Sequence, residues 1–123
     1  MRYLEELPPE CPPSEAKLIE TPIKVFRLVK TNPPTTDDFK SQLLLQPRRK
    51  FKDECIARGL SVWSSREKCK NVRRLPVYKN SFLCKVSLDS GAGHIKWNGD
   101  SFHHTWWPFA TYNIINCCIV EKQ

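Results

Sequence analysis

The chain has four glycines, one methionine and no long apolar run. With so little glycine, a backbone cradle around a nucleotide pyrophosphate is not to be expected, because such loops need residues without Cβ where main-chain N–H groups close on phosphates. No stretch approaches the roughly 20 apolar residues of a membrane-crossing helix. The opening Met1-Arg2-Tyr3-Leu4-Glu5-Glu6 lacks the apolar region of a secretory signal. The expectation is therefore a cytoplasmic protein with no membrane partner. G-x-S-x-G, H-E-x-x-H and C-x-x-C are all absent, so no nucleophile elbow, zinc protease helix or paired zinc ligands announce themselves.

The six cysteines are Cys11, Cys55, Cys69, Cys84, Cys117 and Cys118. In a cytoplasmic chain they are expected to be reduced, buried thiols acting as small hydrophobes. Adjacent Cys117 and Cys118 would face opposite sides of a strand, and no ligand pair has zinc spacing, so no metal is expected. At 123 residues, 27% charged and 40% hydrophobic, the composition is that of one globular domain rather than a disordered chain.

Acids are scarce after position 22. Residues 1–22 carry five acids and two bases among five prolines, and residues 23–123 carry eighteen bases and eight acids. The first segment reads as a Pro-rich acidic arm, draped over the domain through Leu4, Leu7, Leu18 and Ile19 or left as an unattached tail. The second reads as the basic folded domain. Between Lys40 and Arg74 eleven bases meet only Asp53, Glu54 and Glu67. Such a surface attracts phosphates across about a Debye length, roughly 8–10 Å at physiological salt. A merely solvated basic face is the plain alternative.

Periodicity gives the order β-α-α-β-α-β-β-β, a small α+β domain with a mostly antiparallel sheet and about three short helices. Ile23–Lys30 alternates as a first strand, Ile23 and Val25 (with Arg27) on one face, Phe26 and Leu28 on the other. Thr36 caps a helix running to Leu45, and Asp53–Arg58 is a short helix closed by Gly59 at C′. Leu60–Trp63 is a strand, Arg66–Arg74 a helix capped by Ser64 or Ser65, and Ser81–Leu88 and His94–Trp97 are strands. Asn98-Gly99-Asp100 is a tight turn. Tyr112–Val120, apolar on both sides, reads as a central strand.

His103-His104-Thr105-Trp106-Trp107-Pro108 concentrates costly side chains ahead of that run. It is either an aromatic core plug or the wall of a binding site. If extended, it puts His103, Thr105 and Trp107 on one face and His104 and Trp106 on the other, so one indole should be buried and one should stack a ligand. His103 or His104 could then serve as acid, base or phosphate contact.

Val25-Phe26-Arg27-Leu28, the run Cys55-Ile56-Ala57-Arg58-Gly59-Leu60-Ser61-Val62-Trp63-Ser64-Ser65 and Phe82–Leu88 together resemble small ADP-ribosyltransferase-type domains over about half the chain. In those domains a first strand carries Arg or His, a helix ends in Gly-Leu, and the next strand ends in Ser or Thr before a helix. The resemblance implies an NAD-consuming, toxin-type activity in which Arg27 holds a pyrophosphate and Ser64 sits by the nicotinamide ribose. The late catalytic glutamate of such domains has only Glu121 as a counterpart, without its Gln-x-Glu or Glu-x-Glu pattern, and His103 or His104 would have to stand in.

Three functions compete. The first is a binder of a phosphate-bearing ligand, foremost nucleic acid or another polyanion, through Arg48, Arg49, Lys50, Lys52, Arg66, Lys70, Arg73 and Arg74, with Trp106, Trp107 or Phe51 stacking a base. The second is the NAD-consuming enzyme. The third is an interaction module whose acidic arm covers its basic surface.

Overall fold

Residues 2–99 and 102–122 are described by a computed structural model. Asp100 of the expected turn lies outside the described residues; Gly99 before it has φ +87°, a conformation that favours glycine. The strands are β1 (Lys17–Leu18), β2 (Ile23–Val29), β3 (Leu60–Trp63), β4 (Phe82–Leu88), β5 (Gly93–Trp97), β6 (His103–Pro108) and β7 (Cys118–Val120). They form one antiparallel sheet in the order β1-β5-β6-β3-β2-β4-β7. The helices are α1 (Gln42–Leu45), α2 (Glu54–Arg58) and α3 (Arg66–Val72). The α+β class is as expected.

Alternation assigns the two faces. Val25 and Val29 of β2 bury with Leu60, Val62, Cys84, Val86, Leu88 and Trp106 in the main core. Phe26 and Leu28 turn the other way, onto Trp63, Leu83 and Cys69 of α3. β2 and β4 pair along their whole length, from Ile23 opposite Leu88 to Val29 opposite Phe82. Each short helix starts on a side-chain cap: Ser41 accepts from the Leu44 N–H, Asp53 from Ile56 and Ser65 from Lys68. These bonds satisfy N–H groups that have no partner within the helix.

Several expectations fail, each for a physical reason. The helix expected over 36–45 breaks in two: a 3₁₀ turn, Thr36–Phe39, ends at Lys40 in extended conformation, and Ser41 starts α1 afresh. Phe39 is thereby sunk into the main core, 1% exposed. Gly59 has φ −85°, so it is not a left-handed C′ residue. It is there for close approach, since a Cβ would overlap Thr105 Cγ2 and come within 3.2 Å of the Trp107 indole. The run 112–120 is no central strand. Only Cys118–Val120 pairs, at the sheet edge on β4. The preceding residues turn, with Asn113 Oδ1 accepting from the Asn116 N–H and the Ile115 carbonyl from the Cys118 N–H. Asparagine favours such turns, and Ile114 and Cys117 still bury by tucking against the core.

The thiols are not all reduced. Disulfides join Cys11 to Cys55 and Cys84 to Cys118, with Cα–Cα separations of 5.6 and 6.2 Å. Cys69 and Cys117 are free and buried, their thiols pushed up to about 12 and about 11 by burial.

The acidic N-terminal segment is no loose tail. Main-chain bonds run from Leu4 N–H to the Pro108 carbonyl, from Ala110 N–H to Arg2 and from Ile19 N–H to Gly93. Leu18 pairs opposite His94 in the sheet. Glu5 accepts from both the N–H (2.8 Å) and hydroxyl (2.7 Å) of Ser41 and lies 3.5 Å from Arg58. Ile19 is buried as expected, whereas Leu4 and Leu18 stay exposed.

Candidate anion-binding cleft

Sheet strands are held together by regular ladders, and β2 and β3 nearly lack one: among the described residues their single pair is Phe26 with Trp63. Beyond it the strands part, and a cleft of about 340 Å³ opens there. Arg27 and Leu28, Ser61 and Trp63, five residues between Lys30 and Asp38 (Lys30, Thr31, Thr35, Asp37 and Asp38), Gln42 and Leu45 of α1, and Tyr78 are in its lining.

Arg27 stands where the ladder would continue. Its Nη1 donates to the Ser61 carbonyl at 2.7 Å and its Nη2 to the Asp38 carbonyl at 2.9 Å, and its guanidinium carbon lies 5.7 Å from the Phe39 ring centre. A guanidinium has five N–H donors; two are used here, and Nε is buried without a partner. No carboxylate comes within ion-pair distance of Arg27 among the described residues. Burial pulls its pKa down to about 10, with the Asp38 charge opposing that fall. Arg27 is thus a cation at neutral pH.

The acids of the cleft are already committed. Asp38 accepts from the Lys30 N–H at 2.7 Å, the Thr35 N–H at 2.9 Å and the Thr31 hydroxyl. Burial alone would raise its pKa, but these bonds outweigh it and hold the carboxyl below its usual value. Asp37 pairs with Lys40 at 2.9 Å. With Asp37 and Lys40 cancelling, Arg27 and Lys30 stand against the one charge of Asp38, so the lining is left with a single net positive charge, amid Thr35, Ser61 and Tyr78 and the apolar Leu28 and Trp63. The arrangement suits an anion carrying a planar or apolar portion.

Of the residues singled out from sequence, only Arg27 lines this cleft. Ser64 lies apart: its N–H and hydroxyl donate to the Phe102 carbonyl at 3.0 and 3.4 Å. His104 Nδ1 donates to the same carbonyl at 3.0 Å. His103 accepts from the Asn98 amide at 3.0 Å and packs on Trp63, ring centres 5.0 Å apart, so it reaches the cleft only through that indole. Arg27, Ser64, His103 and His104 are not gathered in one site.

Trp106 and Trp107 are both buried, 0% and 1% exposed, which corrects the expected split. Their indole N–H groups donate to the carbonyls of Ala92 at 3.0 Å and Cys55 at 2.9 Å. Alternation does send them to opposite faces, but helix α2 and Gly59 cover the second face, so neither can stack a ligand. The exposed aromatics are Trp97 and Phe102.

The basic residues divide between two places. Arg48, Arg49, Lys50 and Lys52 are exposed between α1 and α2, with Arg49 over the half-buried Phe51 ring at 4.6 Å. Arg66, Lys70 and Arg74 are exposed and Arg73 half-buried on or just after α3. Arg66 is answered by Glu121 at 2.6 Å and Glu67 at 3.5 Å.

Sequence reasoning missed Asp38, Ser41, Ser61, Trp63 and Tyr78 as cleft residues. The cluster of hydroxyls and acids directly after β2 was the one available signal. Among the described residues no three His, Cys, Asp or Glu side chains are grouped as a metal site would need. None of the described helices is long and apolar enough to cross a membrane. No known protein family matches the chain, and neither does any curated protein or solved structure.

Proposed function

We propose that the protein binds a phosphate-bearing ligand, a nucleotide or a nucleic-acid residue, in the Arg27 cleft. One observation carries this reading: a half-buried guanidinium with two of its five donors used and no carboxylate within ion-pair distance among the described residues, at the wall of a cleft where Asp38 already accepts three hydrogen bonds and Asp37 pairs with Lys40. An anion entering there would meet a cation already stripped of much of its water, where charge-assisted hydrogen bonds are strongest. Leu28 and the 7% of Trp63 that is exposed give the cleft an apolar lining beside its polar groups.

The NAD reading shares Arg27 as its phosphate contact, and that placement is what favours it. Its other members, Ser64, His103 and His104, lie outside the cleft lining, so binding is supported and turnover is not. The two disulfides support an oxidising compartment over the cytoplasm expected from the opening residues.

The test is calorimetric titration with AMP, adenosine and NAD against the wild type and Arg27→Gln, folding being checked by thermal melting. Binding of AMP but not adenosine, weakened at least about tenfold in Arg27→Gln, is expected, given that hydrogen bonds to charged groups contribute about 1.5–3 kcal/mol. Equal binding of AMP and adenosine, or a folded Arg27→Gln protein that binds AMP as the wild type does, overturns it.

A further inference from the structure

The cleft does not end at its mouth. Leu45 and Gln42 of α1 line it, and the four bases Arg48, Arg49, Lys50 and Lys52 follow one turn later on an exposed segment. A chain of side-chain bonds joins the two places: Arg49 donates to Gln46 Oε1 at 3.5 Å, and Gln46 donates to Gln42 Oε1. None of the four bases has an acid within ion-pair distance among the described residues, so their charge is uncompensated. By contrast, Arg66 on α3 is neutralised by Glu121.

We infer that the ligand is a single-stranded nucleic acid, one nucleotide seated in the Arg27 cleft and the neighbouring phosphates running over the Arg48–Lys52 segment. This rests on the anion reading of the cleft and names its ligand class. A duplex keeps its bases stacked inside, and a cleft of about 340 Å³ admits a residue only if it is unpaired and splayed out. Exposed, unpaired cations along a chain path are what a sugar-phosphate backbone needs, and they act through release of condensed counterions.

The experiment compares AMP with a fluorescent six-nucleotide single strand, a duplex of equal length and anionic lipid vesicles. Each is titrated at several salt concentrations against the full chain, against Arg27→Gln, and against a variant with Arg48, Arg49, Lys50 and Lys52 all changed to Gln. The single strand should bind at least about tenfold tighter than AMP at low salt. The four-fold Gln variant should flatten the slope of log affinity against log salt by about 2–3, at roughly 0.7 per phosphate for single strands, and leave AMP affinity within about twofold, because those side chains do not line the cleft. Arg27→Gln should weaken both ligands. If the four-fold variant binds the single strand as the wild type does, the inference fails while the cleft reading stands. If Arg27→Gln changes neither ligand, the cleft reading fails. Duplex or vesicles binding as tightly as the single strand would replace it with a general polyanion surface.

Discussion

Replacing Gly59 by alanine should destabilise this protein, although its backbone angles alone argue the opposite. At φ −85° and ψ 169° any residue is comfortable, and removing a glycine from such a site ordinarily stabilises by about 0.4–1 kcal/mol through the unfolded chain. Here the added methyl would overlap Thr105 Cγ2 and press on the Trp107 ring. Thr105 cannot swing aside freely, because its hydroxyl is tied to Asn98 at 2.9 Å and it is 2% exposed. Trp107 is anchored by its bond to the Cys55 carbonyl. Overpacking of this kind costs about 1–3 kcal/mol, which lowers the thermal midpoint of a chain this size by about 4–12 °C. Thr105→Ser removes the offending methyl and alone should cost about 1 kcal/mol. The double variant should therefore be less destabilised than the two single costs together, with a coupling of about 1–2 kcal/mol. Thermal melts of the four proteins decide it. A Gly59→Ala protein that melts with the wild type, or strict additivity in the double variant, would refute the packing of β6 against the α2–β3 junction.

Three further outcomes follow from the same structure. Trp106→Ala and Trp107→Ala should each cost about 3–5 kcal/mol, and urea denaturation should show the two losses to be alike; an Ala variant of either that melts as the wild type does would mean that indole is not in the core. Alkylation of the folded, unreduced protein should label none of the six cysteines, and after unfolding without reductant it should label only Cys69 and Cys117. Reduction should remove about 4 kcal/mol per disulfide for bridged residues 44 and 34 positions apart, and labelling of all six thiols without reductant would contradict the pairing. Burial holds His94 below its usual pKa of 6.5, where its Nδ1 meets the Tyr3 hydroxyl at 2.8 Å. Between that lowered pKa and 6.5 the unfolded chain binds the extra proton, so stability rises with pH through this window and is level above it. The midpoint should fall on acidification below about pH 6.5, and His94→Asn should flatten that part of the profile.

Residue pattern carried the strands whose two faces differ. In β2 the alternation of Ile23 and Val25 with Phe26 and Leu28 separated the two faces, because a one-residue slip would reverse every side chain, whereas the burial of Leu83 in the second core was not read from β4. The pattern failed where burial came without pairing. Ile114, Ile115 and Cys117 are apolar since they pack on the main core, yet Asn113 and Asn116 turn this stretch before it can pair, and hydrophobicity alone does not separate those outcomes. The disulfides were hidden because partners 34 and 44 positions apart leave no local trace. The cleft was half legible. Arg27 was named through the family resemblance, on the strand face of Ile23 and Val25, but its surroundings come from the parting of β2 and β3, a tertiary event. The indoles of Trp106 and Trp107 were misjudged because strand alternation gives direction and not cover; α2 and Gly59 supply the cover on the second face.

The most direct measurement is nitrogen-15 NMR of the arginine and tryptophan side chains while AMP is added. The Arg27 Nε–H, buried and without a partner, and the Trp63 indole N–H should shift together and saturate with the calorimetric affinity, while the Trp106 and Trp107 indoles stay fixed. Shifts confined to the arginines of the 48–52 segment, with Arg27 and Trp63 unmoved at saturation, would contradict the assignment of the cleft as the binding site.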